Sequence, residues 1–108
     1  MDITSAVTSL EALAHETRLG VFRLLVQAGA DGLSAGAIAG HLGALQNTMS
    51  SHLQKLERAG VVTSRRDGRH IIYSANFKTL SALIVYLMED CCGGSAEVCD
   101  PVAARIKC

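Results

Sequence analysis

The chain has 108 residues, ten basic against ten acidic, with 49% apolar residues but only two Phe, two Tyr and no Trp. That is the size of one domain with a single core, and the apolar content excludes a disordered chain. No apolar run reaches the roughly 18 residues of a membrane span, and the scarce aromatics exclude a base-stacking single-strand binder. The N-terminal stretch MDITSAVTSLEA lacks the basic start and unbroken apolar run of a signal peptide, which predicts a soluble, cytoplasmic protein without membrane contact.

A first helix is predicted over about 5–13, with Val7, Leu10 and Leu13 on its apolar side. A second is predicted over about 16–28, with Leu19, Phe22 and Val26 at i, i+3 and i+7; Gly29 and Asp31-Gly32 end it. Ser34 reads as the N-cap of a helix over about 35–42. Leu33 and Ile38 stand where a hydrophobic staple would sit, and Gly43 fits the left-handed C-terminal position. The next helix restarts almost at once, over about 46–59, and stops at Gly60; two helices joined by so short a turn form a helix-turn-helix.

After Gly60 the hydrophobic period changes to two. Strands over about 61–66 and 69–75 flank Asp67-Gly68, a dipeptide suited to a type I′ hairpin loop. A last helix is predicted over about 77–91, where Phe77, Leu80, Ile84, Leu87 and Cys91 step by three and four in a narrow coiled-coil seam. Gly93-Gly94-Ser95 then breaks the helix, and the tail to Cys108 carries no clear periodicity.

A net charge of zero taken globally speaks against nucleic acid, but the charges are segregated. Residues 46–72 hold Lys55, Arg58, Arg65, Arg66 and Arg69 against Glu57 and Asp67, with His52 and His70 in addition. Residues 89–100 hold Glu89, Asp90, Glu97 and Asp100 and no base. At 100° per residue, Leu45, Met49, Leu53 and Leu56 share one arc of the second helix of the pair. Asn47, Ser51, Gln54 and Arg58 cluster opposite, flanked by Ser50 and Lys55. Such side chains hydrogen-bond base edges and phosphates, and a helix N-terminus adds amide donors.

Each feature also has a plain alternative. Any surface helix has a polar face, basic residues on a strand edge also prevent aggregation, and His52, at the margin of the core stripe, is expected to pack or cap locally rather than read a base. Three neighbours favour the DNA reading: the near absence of acids on the polar face, the tight turn before it, and the basic hairpin after it. Together they make the layout of a winged helix-turn-helix. The fold class is therefore mainly α with a β-hairpin, a winged helix-turn-helix. Residues 1–92 form that DNA-binding domain and residues 93–108 a cysteine-containing tail.

All four cysteines fall in the last eighteen residues: Cys91, Cys92, Cys99 and Cys108. Such clustering in a cytosolic chain points to metal binding or redox chemistry rather than a disulfide framework. Soft thiolates select thiophilic ions, and a trivalent arsenic or antimony centre takes three. The Cys-x₂₋₄-Cys spacing usual for zinc is absent. Cys91 as a plain core residue and a reversible disulfide switch stay open as alternatives. The acidic surroundings raise thiol pKa, which favours ion binding over oxidant sensing.

The stretches LEALAHETRLGVFRLLV and LGALQNTMSSHLQKLERAGVVTSRRDGRHIIYSA resemble the ArsR/SmtB family of bacterial metalloregulators, over about 10–87. Helix, Ala-Gly stop, strand, Asp-Gly-Arg wing and Tyr occur in the family's order. Thr17-Arg18 matches its usual Thr-Arg, whereas His15-Glu16 departs from the common Asp-Pro. The resemblance implies a homodimeric winged-helix repressor in which residues 1–92 serve both DNA binding and dimerisation. It implies a recognition helix carrying Gln46, Asn47, Thr48, Ser50, Ser51, His52, Gln54 and Lys55, and a wing carrying Arg65, Arg66, Arg69 and His70. Arg18 would be a structural contact, and the first and last helices, with Leu10, Leu80, Ile84 and Leu87, would form the dimer interface.

The family's Cys-Val-Cys arsenic motif is missing from SAGAIAGHLG, and NFKTLSALIVYLMED lacks the His and Asp of its zinc site. CCGGSAEVC resembles a subset with a C-terminal Cys-Cys pair and a third Cys. That implies arsenite or antimonite, As(III) or Sb(III), as inducer, held by Cys91, Cys92 and Cys99, with Cys108 a spare. The expected function is repression of an inverted-repeat operator, relieved by the inducer. A thiol-redox or persulfide-sensing repressor of the same fold is the alternative. A metalloid-carrying chaperone would lack sequence-specific DNA binding. A thiol-dependent reductase, the enzymatic reading, is disfavoured because its cysteine would want a basic neighbour or a helix N-terminus.

Overall fold

The computed structural model describes residues 1–44, 46–89 and 96–106; the side chains of Gln46 and of residues 96–100 lie outside that description. Helix α1 (Ile3–Leu13) starts slightly earlier than its periodicity suggests because Asp2 caps it, accepting the Ser5 amide at 2.8 Å. That hydrogen bond holds the Asp2 carboxyl below its usual range. α1 turns its small residues Ala6, Ser9 and Ala12 inward and packs against α2, α4 and α5. Small side chains at the contact bring the helix axes close. Val7 and Leu10, the bulkier apolar residues, are left pointing outward.

Helix α2 (Glu16–Ala28) is capped by His15, whose Nδ1 accepts the Thr17 amide at 3.1 Å. It is the central helix, in contact with α1, α3, α4 and the sheet. Its buried arc is Val21, Phe22 and Leu25, so the predicted Leu19–Phe22–Val26 stripe is rotated. Leu19 is exposed and Val26 half-buried. A 3-10 turn (Gly29–Asp31) follows, then β1 (Leu33–Ser34), a strand too short to leave a periodic signal. Ser34 ends β1 and caps α3 (Ala35–Leu42), its Oγ accepting the Ala37 amide at 3.1 Å. A cap of this kind stabilises a helix by about 1 kcal/mol.

Gly43, left-handed at φ 64 and ψ 29, closes α3 as predicted, and α4 (Gln46–Arg58) follows at once. α4 ends in a Schellman motif: the Gly60 amide donates to Glu57 O at 3.0 Å and the Val61 amide to Leu56 O at 3.1 Å. Leu56 and Val61, both buried, make the hydrophobic contact that accompanies it. The seven largest fully buried side chains are Leu25, Ile38, Met49, Leu53, Leu56, Val21 and Val62, so the core lies where α2, α3, α4 and the sheet meet.

β2 (Val62–Asp67) and β3 (His70–Ala75) pair antiparallel, and β1 joins the far side of β3. Asp67 pairs with His70, so the two-residue loop is Gly68-Arg69, one position later than predicted. Gly68 at φ +62 takes the first loop position, where the hairpin turns that match strand twist need positive φ.

Asn76 begins α5 (Phe77–Met88) and joins three elements. Its Oδ1 accepts the Thr79 amide at 3.2 Å, its Nδ2 donates to Gly60 O at 3.0 Å and its amide to Val61 O at 2.9 Å. α5 stops at Met88, short of the predicted end near residue 91, and Glu89 is extended. Its last turn holds no base, and Glu89 and Asp90 follow. Carboxylates there oppose the negative end of the helix dipole. The tail contains a helix that sequence periodicity did not reveal, α6 (Ala96–Arg105), with Pro101 inside it. Proline ordinarily interrupts a helix, which hides such a segment from pattern reading.

Candidate nucleic-acid interface

Met49, Leu53 and Leu56 bury fully, each contributing about 1.5–3 kcal/mol, and so set the rotation of α4 about its axis. The opposite arc is then exposed: Asn47, Ser51, Gln54 and Arg58, flanked by Thr48, Ser50 and Lys55. Leu45, expected on the inward stripe, and the Gln46 side chain lie outside the described residues. The first turn of α4 has no acid and its last turn holds Lys55 and Arg58, the placement the helix dipole favours.

His52 departs from its neighbours on α4. It is half-buried, its ring centroid lies 4.7 Å from that of His15, and its Nδ1 lies 3.4 Å from Arg18 Nη1. Burial pushes the imidazole below its ordinary value of 6.5, and the nearby His15, Arg18 and Lys55 push it further. Its ring packs on the entrance to α2 because it sits one residue before Leu53, at the margin of the inward arc. It therefore supports α4 rather than projecting with the exposed set in which the resemblance placed it. Arg18 is a structural contact as expected: its Nε donates to Ala12 O at 2.6 Å, closing the end of α1.

The four basic residues of the wing are all exposed, but not equivalent. The Arg65 guanidinium donates to the Asp31 carbonyl at 2.9 Å, which ties the wing to the 3-10 turn after α2. Arg66 lies on the other face of β2, paired with Ile71. Arg69 is in the loop and His70 closes the ladder. Ser50 of α4, Arg69, His70, Ile71 and Tyr73 of the wing, and Ser34–Gly36 at the start of α3 line one cleft of about 230 Å³. α4, the hairpin and the amide end of α3 therefore share one side of the molecule. That side offers amides, amide and hydroxyl side chains, and cations to a polyanion.

The other exposed feature is apolar. On α1, Ile3, Val7 and Leu10 are exposed, Leu10 at 42%. On α5, Ile84, Val85 and Leu87 are exposed at 40%, 62% and 59%. Leu80, expected at the interface, packs instead against this chain's own core. Large apolar side chains left out on two adjoining helices mark an interaction surface.

The cysteine group falls outside this geometry. Cys91, Cys92 and Cys108 lie outside the described residues, and Cys99 is in α6 with its side chain outside the description. Among the described residues no cluster of His, Cys, Asp and Glu could hold a metal ion. Sequence reasoning missed two polar links at the base of the wing: the Arg65–Asp31 bond and one from Ser64 Oγ to Glu57 Oε2 at 2.5 Å. The first joins residues distant along the chain, the second spans the turn between α4 and β2, and no local pattern announces either.

A helix-turn-helix domain family matches residues 13–65, from the end of α1 into β2. The chain is 31% identical over 87 residues to the HTH-type transcriptional regulator YgaV of Escherichia coli, covering 81% of this chain and 86% of that one. Among solved structures, an ArsR-like transcriptional regulator from Rhodococcus superposes with a TM-score of 0.71 at 29% identity, covering 94% and 89% of the two chains. The homodimeric winged helix-turn-helix DNA-binding domain of a possible ArsR-family regulator from Mycobacterium bovis superposes with a TM-score of 0.66 at 28% identity, covering 82% of each. A structure described as a possible transcriptional regulator for arsenical resistance gives a TM-score of 0.65 at 28% identity, covering 92% and 97%. These are transcriptional regulators, not enzymes, and their likeness spans the reading helix, the wing and most of the fold around them: the chain belongs to the ArsR-like family of winged helix-turn-helix transcriptional regulators.

Proposed function

We propose that this chain is a dimeric repressor that binds an inverted-repeat operator in its inducer-free state and leaves it when a trivalent arsenic or antimony ion is held by Cys91, Cys92 and Cys99. The observation that carries the proposal is continuity: the exposed apolar face of α5 ends at Leu87, one residue before the end of the helix, and Cys91-Cys92 follow after Glu89-Asp90 in sequence. Capture of an ion at those thiols acts on the end of the helix that meets the partner.

Three thiolates are the donor set that a trivalent, lone-pair-bearing ion takes, and they are too few for a closed zinc site. Likeness to a structure described as a possible regulator for arsenical resistance supports the same reading. A dimer through α1 and α5 presents two α4 helices to major grooves about one helical turn apart. Spacing between them then controls affinity, and a differential of a few kcal/mol between the two states is enough for release.

Titrating arsenite into the reduced protein on a fluorescein-labelled duplex from its own promoter, read by anisotropy, tests this. The expected result is release near one or two ions per dimer, abolished by Cys92→Ser. A complex that ignores arsenite and antimonite but dissociates on oxidation would overturn the inducer and support the thiol-redox alternative. Absence of duplex binding by the wild-type chain would overturn the repressor itself.

A further inference from the structure

Glu57 is the only acidic residue of α4, and it is exposed at the edge of the face that would meet a polyanion. On charge alone it opposes binding. Its carboxylate is engaged, however: Ser64 Oγ donates to Glu57 Oε2 at 2.5 Å. Ser64 is on β2 and pairs across the ladder with Tyr73 of β3. The Tyr73 phenol is pushed above its ordinary range by burial and then by the Glu57 charge, which places the carboxylate beside both strands.

The period of two along β2 puts Ser64 on the same face as Arg66, two residues nearer the wing tip. The opposite face of β2 is held by the Arg65 guanidinium on the Asp31 carbonyl. The base of the wing is thus fastened from both faces, to α4 through Glu57 and to the turn after α2 through Arg65. Between Glu57 and Ser64 the backbone passes through the Schellman turn at Gly60, so this side-chain bond closes a short loop joining the two DNA-facing elements.

We propose that Glu57 is a positioning residue for DNA binding: by holding Ser64 it fixes the wing relative to α4, so that both engage one duplex. This rests on the reading of the α4–wing surface as the DNA interface. It makes charge and geometry pull in opposite directions, which gives the test its sign. Removing a bystander carboxylate would tighten binding to DNA; removing a positioning carboxylate weakens it.

The experiment compares Glu57→Gln, Glu57→Ala, Ser64→Ala and the Glu57→Ala/Ser64→Ala double variant of the full chain. Affinity is read by anisotropy on the same promoter duplex, and amide hydrogen exchange is read without DNA. Glu57→Ala and Ser64→Ala are each expected to weaken binding by about three- to tenfold, with the double variant no weaker than either single one. Glu57→Gln, whose amide oxygen still accepts from Ser64, is expected to bind as well as wild type or better. Wing amides of β2 and β3 should exchange faster in the two alanine variants and not in Glu57→Gln, with α2 amides unchanged. Tighter binding by Glu57→Ala, or unchanged binding by Ser64→Ala, overturns the proposal. Should wild type leave the duplex free, the DNA interface itself fails. Unchanged wing exchange in Glu57→Ala then overturns the joint independently.

Discussion

Arg18 and His52 show what single side chains do in this fold. Arg18 closes the last turn of α1 through Ala12 O and reaches His52 Nδ1, so one guanidinium links α1, α2 and α4. Burial, and then the positive neighbourhood, disfavour the imidazolium form of His52 there. The folded-state pKa lies below the unfolded value, so the unfolded chain binds the proton more readily. Stability is therefore fully present above about pH 6.5 and falls as pH drops from there towards the depressed folded value. Urea midpoints measured between about pH 5 and 8 should decline on the acid side, and His52→Gln should flatten that decline. An equally steep decline in His52→Gln would place the acid sensitivity elsewhere.

At the level of elements, the joints decide more than the helices do. Gly32 combines a φ of +67 with a crossing so close that a Cβ would collide with Tyr73 O and lie 2.5 Å from Ser74 Oγ. Gly32 leads directly into β1, which pairs with β3 through Leu33–Tyr73 and Ser34–Ile72, and Ser74 Oγ donates to Ala30 O beside it at 3.4 Å. Gly32→Ala should therefore destabilise the protein by about 3 kcal/mol, from left-handed strain plus overpacking. The loss would appear as a lower urea midpoint with an unchanged m-value. A loss below about 0.5 kcal/mol would mean that β1 shifts to accommodate the methyl group. In the sequence this glycine reads only as a helix stop; its close approach depends on β3, more than forty residues later.

For the whole molecule, the balance lies between a finished core and an unfinished surface. No buried side-chain polar atom among the described residues lacks a hydrogen-bond partner, so the inside of the subunit is complete. The outward apolar residues of α1 and α5 are not covered by the other described residues. If they form the proposed dimer seam, Leu87→Glu should convert the protein to monomers in sedimentation velocity at micromolar concentration. Its far-UV circular dichroism should be retained and its duplex affinity lowered, because a buried unpaired carboxylate is costly. An unchanged sedimentation coefficient would move the interface away from α5.

Local chemistry was enough for α1 to α5, the hairpin and the exposed polar face of α4, though not for β1 or α6. Ser34 and Gly43 bound α3, the Met49, Leu53 and Leu56 spacing orients α4, and the change of period after Gly60 announces the hairpin. Each is a short-range consequence of backbone preference or of burying one face, so each is written in neighbouring residues. The hairpin register was missed by one position because Asp67-Gly68 and Gly68-Arg69 are both acceptable loops locally, and pairing along the whole ladder selects between them. The rotation of α2 depended on four packing partners, the tethering of Arg65 on the turn at Asp31, and the hold of Glu57 on the wing on Ser64. Those outcomes required separate elements to meet, and their energies exist only once the core has brought the elements together.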